Sequence, residues 1–225
     1  MTLTLTKQEK RLGWLYLAAQ MLVIPFVVAF VCVMLGVTSE ADINLICFYL
    51  NAALAVIVFR NLLSKSLENC RGRWKQTLLT VLKGFGLYWL ASTAVAVAIL
   101  ALKPDFANVN DASVNAMLVE RPLLMTVAVV FAAPLAEECL FRGWMFTGLA
   151  EKSRPLAYAV TCAFFSGVHI LAYIGIYDTL TLLLCFVQYV APSYILCRTC
   201  ARADSLCAPL LLHMAINTAA LFVAR

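Results

Sequence analysis

Seven stretches of the chain, roughly 13–37, 43–59, 78–102, 123–149, 155–175, 180–200 and 206–224, are nearly unbroken runs of apolar residues. A helix needs about 20 mainly apolar residues to cross a bilayer. Inside the hydrocarbon every backbone polar group must be satisfied by its own segment or by a closed sheet. Runs of this length therefore predict an all-α fold, a polytopic membrane helical bundle of about seven transmembrane helices around an interior polar cavity. The second run is short, and the fourth and fifth are interrupted by polar residues. Composition agrees with this reading: 64% of the 225 residues are hydrophobic, 13% are charged and mean hydropathy is +0.90. A soluble domain carries roughly 25% charged residues. No internal repeat, low-complexity tract or soluble domain interrupts the runs.

The formal charge of +5 does not call for a nucleic-acid partner, because basic residues of membrane proteins collect on cytoplasmic loops. With the N-terminus inside, twelve basic residues fall on the cytoplasmic side, among them Lys7, Lys10, Arg11, Arg60, Lys65 and Arg198. Three fall outside, Lys103, Arg121 and Arg225, while Lys83 and Arg142 lie within spans. Lys83 is expected to snorkel to the cytoplasmic surface. The basic start, "MTLTLTKQEKRLGW", resembles a signal-peptide n-region, but the apolar run behind it is too long and lacks an A-x-A exit. It is expected to stay as a first transmembrane helix. A loop-poor chain without a cleaved leader suggests a multi-pass protein of a prokaryotic plasma membrane.

Nine cysteines are present, and most fall within spans, where Cys behaves as a small apolar residue. Cys197 and Cys200 have CxxC spacing, yet no second pair or neighbouring His accompanies them. They are expected to be plain thiols. The outer loop 103–122 is polar with an apolar patch around Val114–Val119. It lies on the outer surface or re-enters as a lid, and nothing in it looks catalytic. Gln20, Asn51 and Gln188 are expected to bridge helices. Lys152, Arg154, Arg198 and Arg202 form a basic cytoplasmic rim or simply signal orientation.

Charged and titratable residues inside the spans demand a reason, since each ionised side chain at mid-bilayer costs about 2.5–3.5 kcal/mol on insertion scales. "APLAEECLFRGWMF" holds Glu137, Glu138 and Arg142. Glu138 and Arg142 are four apart, acid first, the favoured order for a pair on one helix face. Glu137 sits about 100° round the helix and is left without that partner. It is therefore free to face a reactive water. "FFSGVHI" places His169 four residues after Phe165, and "LLLHMAINTAA" places Asn217 four after His213. Both histidines of the chain thus lie in spans, at depths where all six polar groups can meet in one cavity.

These three motifs, EExxxR, FxxxH and HxxxN in order on separate apolar helices, resemble those of the CPBP family of intramembrane proteases. This is the CAAX protease and bacteriocin-processing (Abi) family, which includes the type II CAAX prenyl endopeptidases. The resemblance covers roughly residues 115–225. It implies a catalytic set of Glu137, Glu138, Arg142, His169, His213 and Asn217, and an endopeptidase acting on a membrane-associated peptide or lipidated protein. It divides the chain into N-terminal spans with the outer loop (1–112) and a catalytic core of four spans (113–225).

Two mechanisms stay open. In one, which needs no cofactor, Glu137 is general base, His169 holds the water, and His213 with Asn217 stabilises the oxyanion. In the other, His169, His213 and Glu137 bind zinc, matching the His₂Glu set of catalytic zinc sites. A proton-coupled transporter and a non-catalytic membrane binding or scaffold protein are the rival functions, since intramembrane Glu and His also build proton relays. Neither the oligomeric state nor the substrate can be read from the chain.

Overall fold

The computed structural model describes residues 2–223. Ala224, the last residue of the seventh expected span, and the outer basic residue Arg225 lie outside the described residues. Nine helices run through the described residues: α1 (Lys7–Met34), α2 (Glu40–Val58), α3 (Arg60–Gly72), α4 (Trp74–Leu102), α5 (Val109–Glu120), α6 (Pro122–Ala150), α7 (Arg154–Leu171), α8 (Thr179–Ala203) and α9 (Cys207–Val223). Those residues form no strand; one isolated bridge joins Ile174 and Tyr177. Five helices (α1, α2, α4, α6 and α8) are long and apolar enough to cross a membrane. The expected fifth and seventh spans also fold as helices, α7 and α9, but do not join that set. The chain is an all-helical, multi-pass integral membrane protein.

Two segments expected as loops are helical. The basic stretch after the second span is α3, whose apolar Leu62 is buried while Arg60 and Arg71 are exposed. The outer loop contains α5, capped by Asn108, whose side chain accepts from the backbone N–H of Asn110 and Asp111. Such a cap satisfies donors that the first turn otherwise leaves bare.

α6 is the hub of the bundle. Every residue from Glu138 to Thr147 is buried, and a helix buried all round belongs at the centre of its bundle. α4, by contrast, is exposed along most of its length, as befits a helix that faces lipid. Two wide π-helical turns, Ala128–Ala132 and Glu138–Phe146, interrupt α6. The first accommodates Pro134, which has no N–H to offer the preceding turn.

The N-terminus is stapled onto this hub. Thr6 and Glu9 form a reciprocal cap at the start of α1, and Glu9, 1% exposed, also accepts the Leu62 backbone N–H at 2.8 Å. The Trp144 indole donates to the Lys10 carbonyl at 3.2 Å. Its ring lies where a side chain on Gly13 would have to sit, so α1 and α6 touch almost backbone to ring. Asp204, in a left-handed conformation after α8, accepts from the backbone N–H groups of Thr2 and Leu3 at 2.8 and 3.0 Å.

Gly13→Val should therefore force the Trp144 ring out and destabilise the protein by about 1–3 kcal/mol, the usual cost of overpacking. Thermal unfolding of purified protein in detergent measures it. Unchanged unfolding would show that α1 does not seat against Trp144.

Candidate active site

Glu138 and Arg142 are the least accessible charges of α6, at 1% and 0% exposure. Arg142 Nη1 donates to Glu138 Oε1 at 2.8 Å, and its Nη2 donates to the Ser193 hydroxyl at 3.0 Å and the Ser193 carbonyl at 3.3 Å, on α8. The guanidinium also lies 4.3 Å above the Phe165 ring of α7, a cation–π contact strengthened by desolvation. The same Glu138 Oε1 meets His213 Nδ1 at 2.8 Å. Glu138 is thus more than half of an ion pair. It joins α6 to α9 and, through Arg142, to α7 and α8.

Glu137 points elsewhere. Its side chain is 20% exposed, and its Oε2 is buried with no hydrogen-bond partner in the protein. That oxygen lies 3.9 Å from His213 Nε2, too far for a direct hydrogen bond and short enough for one bridging water.

His169 is fixed from two sides. Its Nδ1 lies 2.7 Å from the Phe165 carbonyl; a carbonyl only accepts, so Nδ1 carries the hydrogen and Nε2 is left as the acceptor of a neutral ring. The Tyr189 ring stacks on the imidazole at 4.2 Å and 28°. The Phe165 ring lies between the two histidines, with centroids 4.6 Å from His169 and 6.1 Å from His213.

Asn217 has a structural duty. In the first wide turn of α6 the Ala133 N–H bonds the Ala128 carbonyl, one residue further back than in an α-helix. The next carbonyl, Val129, would by that register need the N–H of Pro134, which does not exist. Asn217 Nδ2 donates to it at 2.8 Å, leaving one amide hydrogen and the side-chain oxygen uncommitted. Of the six motif residues, Arg142, Glu138, His213 and Glu137 form one chain of close contacts, His169 adjoins it through the Phe165 ring, and Asn217 bonds the Val129 carbonyl of α6.

Several partners carried no motif. Ser193 and Tyr189 on α8 hold Arg142 and His169. Tyr189 in turn donates to Asp111 at 2.8 Å and receives the Asn110 amide at 3.0 Å. Asn108 donates to Gln188 at 2.9 Å, the helix bridge expected of Gln188. The side-chain oxygens of Gln20 and Asn51 find no partner. The outer segment that showed no chemistry in sequence is therefore tied to the ring behind His169. Asp111, Asn108 and Gln188 line a cavity of about 360 Å³ on that side.

A metal site fits less well. Among the described residues no three His, Cys, Asp or Glu side chains lie close enough together to hold an ion. Both Nε2 atoms are left unbonded, but the expected zinc set of His169, His213 and Glu137 does not close into a group of three around one point. Cys197 and Cys200 are buried free thiols.

The family model described as type II CAAX prenyl endopeptidase Rce1-like matches residues 119–219, α6 to α9 with their flanks. Residues 119–219, a little under half of the chain, are similar to that family. This Rce1-like region contains all six motif residues. Comparisons with curated proteins and with solved structures found no match.

Removing the Glu138 carboxylate strands a buried guanidinium, so Glu138→Ala should cost about 3–5 kcal/mol of stability. Asn217→Leu orphans the Val129 carbonyl and should cost about 1–3 kcal/mol. Glu137→Gln, whose oxygen has no protein partner to lose, should change stability little. Denaturation in detergent ranks the three variants; Glu137→Gln as damaging as Glu138→Ala would contradict this division.

Proposed function

We propose that the chain is an intramembrane endopeptidase that hydrolyses a peptide bond in a membrane-associated peptide or lipidated protein, with Glu137 activating the water. The Rce1-like family supports a peptidase. One observation carries the mechanism: a buried, unpartnered carboxylate oxygen of Glu137 stands 3.9 Å from His213 Nε2. A charge count supports the roles. Glu137, Glu138 and Arg142 together leave one excess negative charge, which a poorly solvated cavity tolerates badly. A proton on His213 Nε2 balances it and supplies a donor where an oxyanion would form.

Water held between Glu137 and the His169 Nε2 acceptor gives its proton to Glu137 as its oxygen bonds to the carbonyl carbon. His213 Nε2–H and the spare Asn217 N–H receive the developing oxyanion. As the intermediate collapses, the C–N bond breaks and Glu137 passes the proton to the leaving amine. The products are a carboxyl and an amine terminus, and Glu137 is again ionised. Glu138, Arg142 and Phe165 position the two imidazoles. No step is routed through a metal, because the donors as placed do not fit one. The six residues all lie in 113–225, and we take residues 1–112 as the supporting part that wraps them.

A proton-coupled transporter needs a continuous path. The polar chain from Asp111 reaches Tyr189 but meets His169 as a ring face, with no hydrogen bond between them. That break disfavours a relay. The positive-inside bias supports a cytoplasmic N-terminus, and loop-poor architecture a prokaryotic plasma membrane.

Purified protein in lipid should cleave lipidated C-terminal or leader-type peptides, chosen by comparing the protein termini of membranes with and without the gene. Glu137→Gln and His169→Ala should each lower kcat by roughly 10²–10⁴-fold. Activity should survive a strong zinc chelator; loss restored by added zinc would overturn the metal-free mechanism. Wild type and both variants turning over equally would end the protease reading. Tyr189→Phe keeps the ring on His169 and should retain more activity than Tyr189→Leu, which removes the stack.

A further inference from the structure

On the far side of α8 from Ser193's partner Arg142, a second polar feature takes no part in the proposed chemistry. Gln76, Thr80, Lys83 and Leu87 form one stripe along α4 at intervals of three and four residues, and Ile195, Arg198, Thr199 and Arg202 form another along α8. The two stripes face each other across a groove of about 290 Å³. Gly84 is one of its buried lining residues. A Cβ there would lie 2.8 Å from Leu212 and 3.0 Å from the Thr199 hydroxyl, so α4 packs tightly on α8 and α9 at this point.

Three cations line the groove, with no carboxylate among its walls. Among the described residues, none of the three side chains makes a salt bridge or a hydrogen bond; the pairs formed elsewhere use Lys10, Lys103, Arg121 and Arg142. Arg198 and Arg202 sit four apart on one face, a spacing at which like charges repel. Orientation signalling accounts for cations at a helix end. It does not account for Lys83, the tenth residue of α4 and about 14 Å along it, converging on two arginines of another helix. Lys152 and Arg154, the other half of the expected basic rim, do not line the groove.

We propose that this groove binds the phosphate headgroup of an anionic phospholipid. An oxyanion relieves the mutual repulsion of Lys83, Arg198 and Arg202, and Gln76 and Thr199 offer further polar contacts. Guanidinium groups match phosphate oxygens in a paired geometry. A lipid is favoured over a free phosphate because part of the lining is apolar and open: Leu79 lines the groove and is 56% exposed, on a helix that otherwise faces outward. The leaflet concerned is the one on the N-terminal side, since Asp204, two residues past Arg202, binds Thr2. By the charge bias this is the cytoplasmic leaflet, where anionic lipids attract basic residues.

Native mass spectrometry of the full-length protein, titrated with phosphatidylglycerol or phosphatidylcholine in detergent, reads binding without requiring turnover. Phosphatidylglycerol should bind more tightly than phosphatidylcholine. The triple variant Lys83→Gln, Arg198→Gln, Arg202→Gln should lose about fivefold in affinity per cation, on the order of a hundredfold in all. The control Lys7→Gln, Lys152→Gln, Arg154→Gln removes the same charge elsewhere and should bind as wild type does. Single variants at the exposed Lys83 keep the test open if the triple variant fails to fold, with Lys83→Gln alone expected to lose about fivefold. Equal affinity for the two lipids, or equal weakening in the groove and control variants, would overturn the proposal. So would complete displacement of lipid by inorganic phosphate at comparable concentration, or selective displacement by a peptide C-terminus. A protein that binds the lipid but cleaves nothing would leave this proposal standing while removing the protease reading.

Discussion

A single buried carboxylate holds the arrangement together. Glu138 Oε1 receives both the Arg142 guanidinium and the His213 ring at 2.8 Å, in a place where the two charged side chains expose at most 1% of their surface. Taking these charges out of water costs several kcal/mol each, and only close, multiple contacts repay it. That requirement explains why α7, α8 and α9 crowd around α6, and why Ser193 and the Phe165 ring are spent on the same guanidinium. Remove the carboxylate and two partners lose their reason to be where they are.

The three motifs divide the work in a way their spacing alone conceals. The phenylalanine of FxxxH supports Arg142 with its ring and orients His169 with its carbonyl. The asparagine of HxxxN repairs a backbone carbonyl that a proline leaves bare. Glu137 differs from Glu138, which is held through its Oε1: the buried Oε2 of Glu137 has no partner among the described residues and stands 3.9 Å from His213 Nε2. A carboxylate left free beside His213 Nε2 is what the proposed water activation requires.

Apolar runs located the helices well because the bilayer imposes their length. The first helix begins at Lys7, before the run itself, because the Thr6–Glu9 cap extends it. The ion pair of Glu138 and Arg142 was legible from their spacing, and the convergence of both histidines from their rarity in apolar segments. Three things were not legible. The second wide turn of α6 has no proline behind it and lies in the stretch buried all round, which periodicity does not report, whereas Pro134 was a visible signal for the first. Ser193 and Tyr189 are ordinary in local sequence and matter only through helix packing. The outer helix α5 was hidden by its polarity, although Asn108 followed by Asp111 is a recognisable cap, and its link to Tyr189 spans nearly eighty residues. The basic groove between α4 and α8 was half visible as a rim, but that Lys83 shares it with Arg198 and Arg202 depends on how α4 packs on α8.

The chain has only two imidazoles, so nitrogen-15 NMR of histidine-labelled protein in lipid tests the central claim directly. Both rings should carry hydrogen on Nδ1, and replacing Glu137 by Gln should move the Nε2 resonances of His169 and His213 while leaving the Nδ1 resonances in place. An Nε2–H, Nδ1-bare tautomer at His169, or Nε2 resonances indifferent to the change at Glu137, would mean that the carboxylate and the two imidazoles do not share one water.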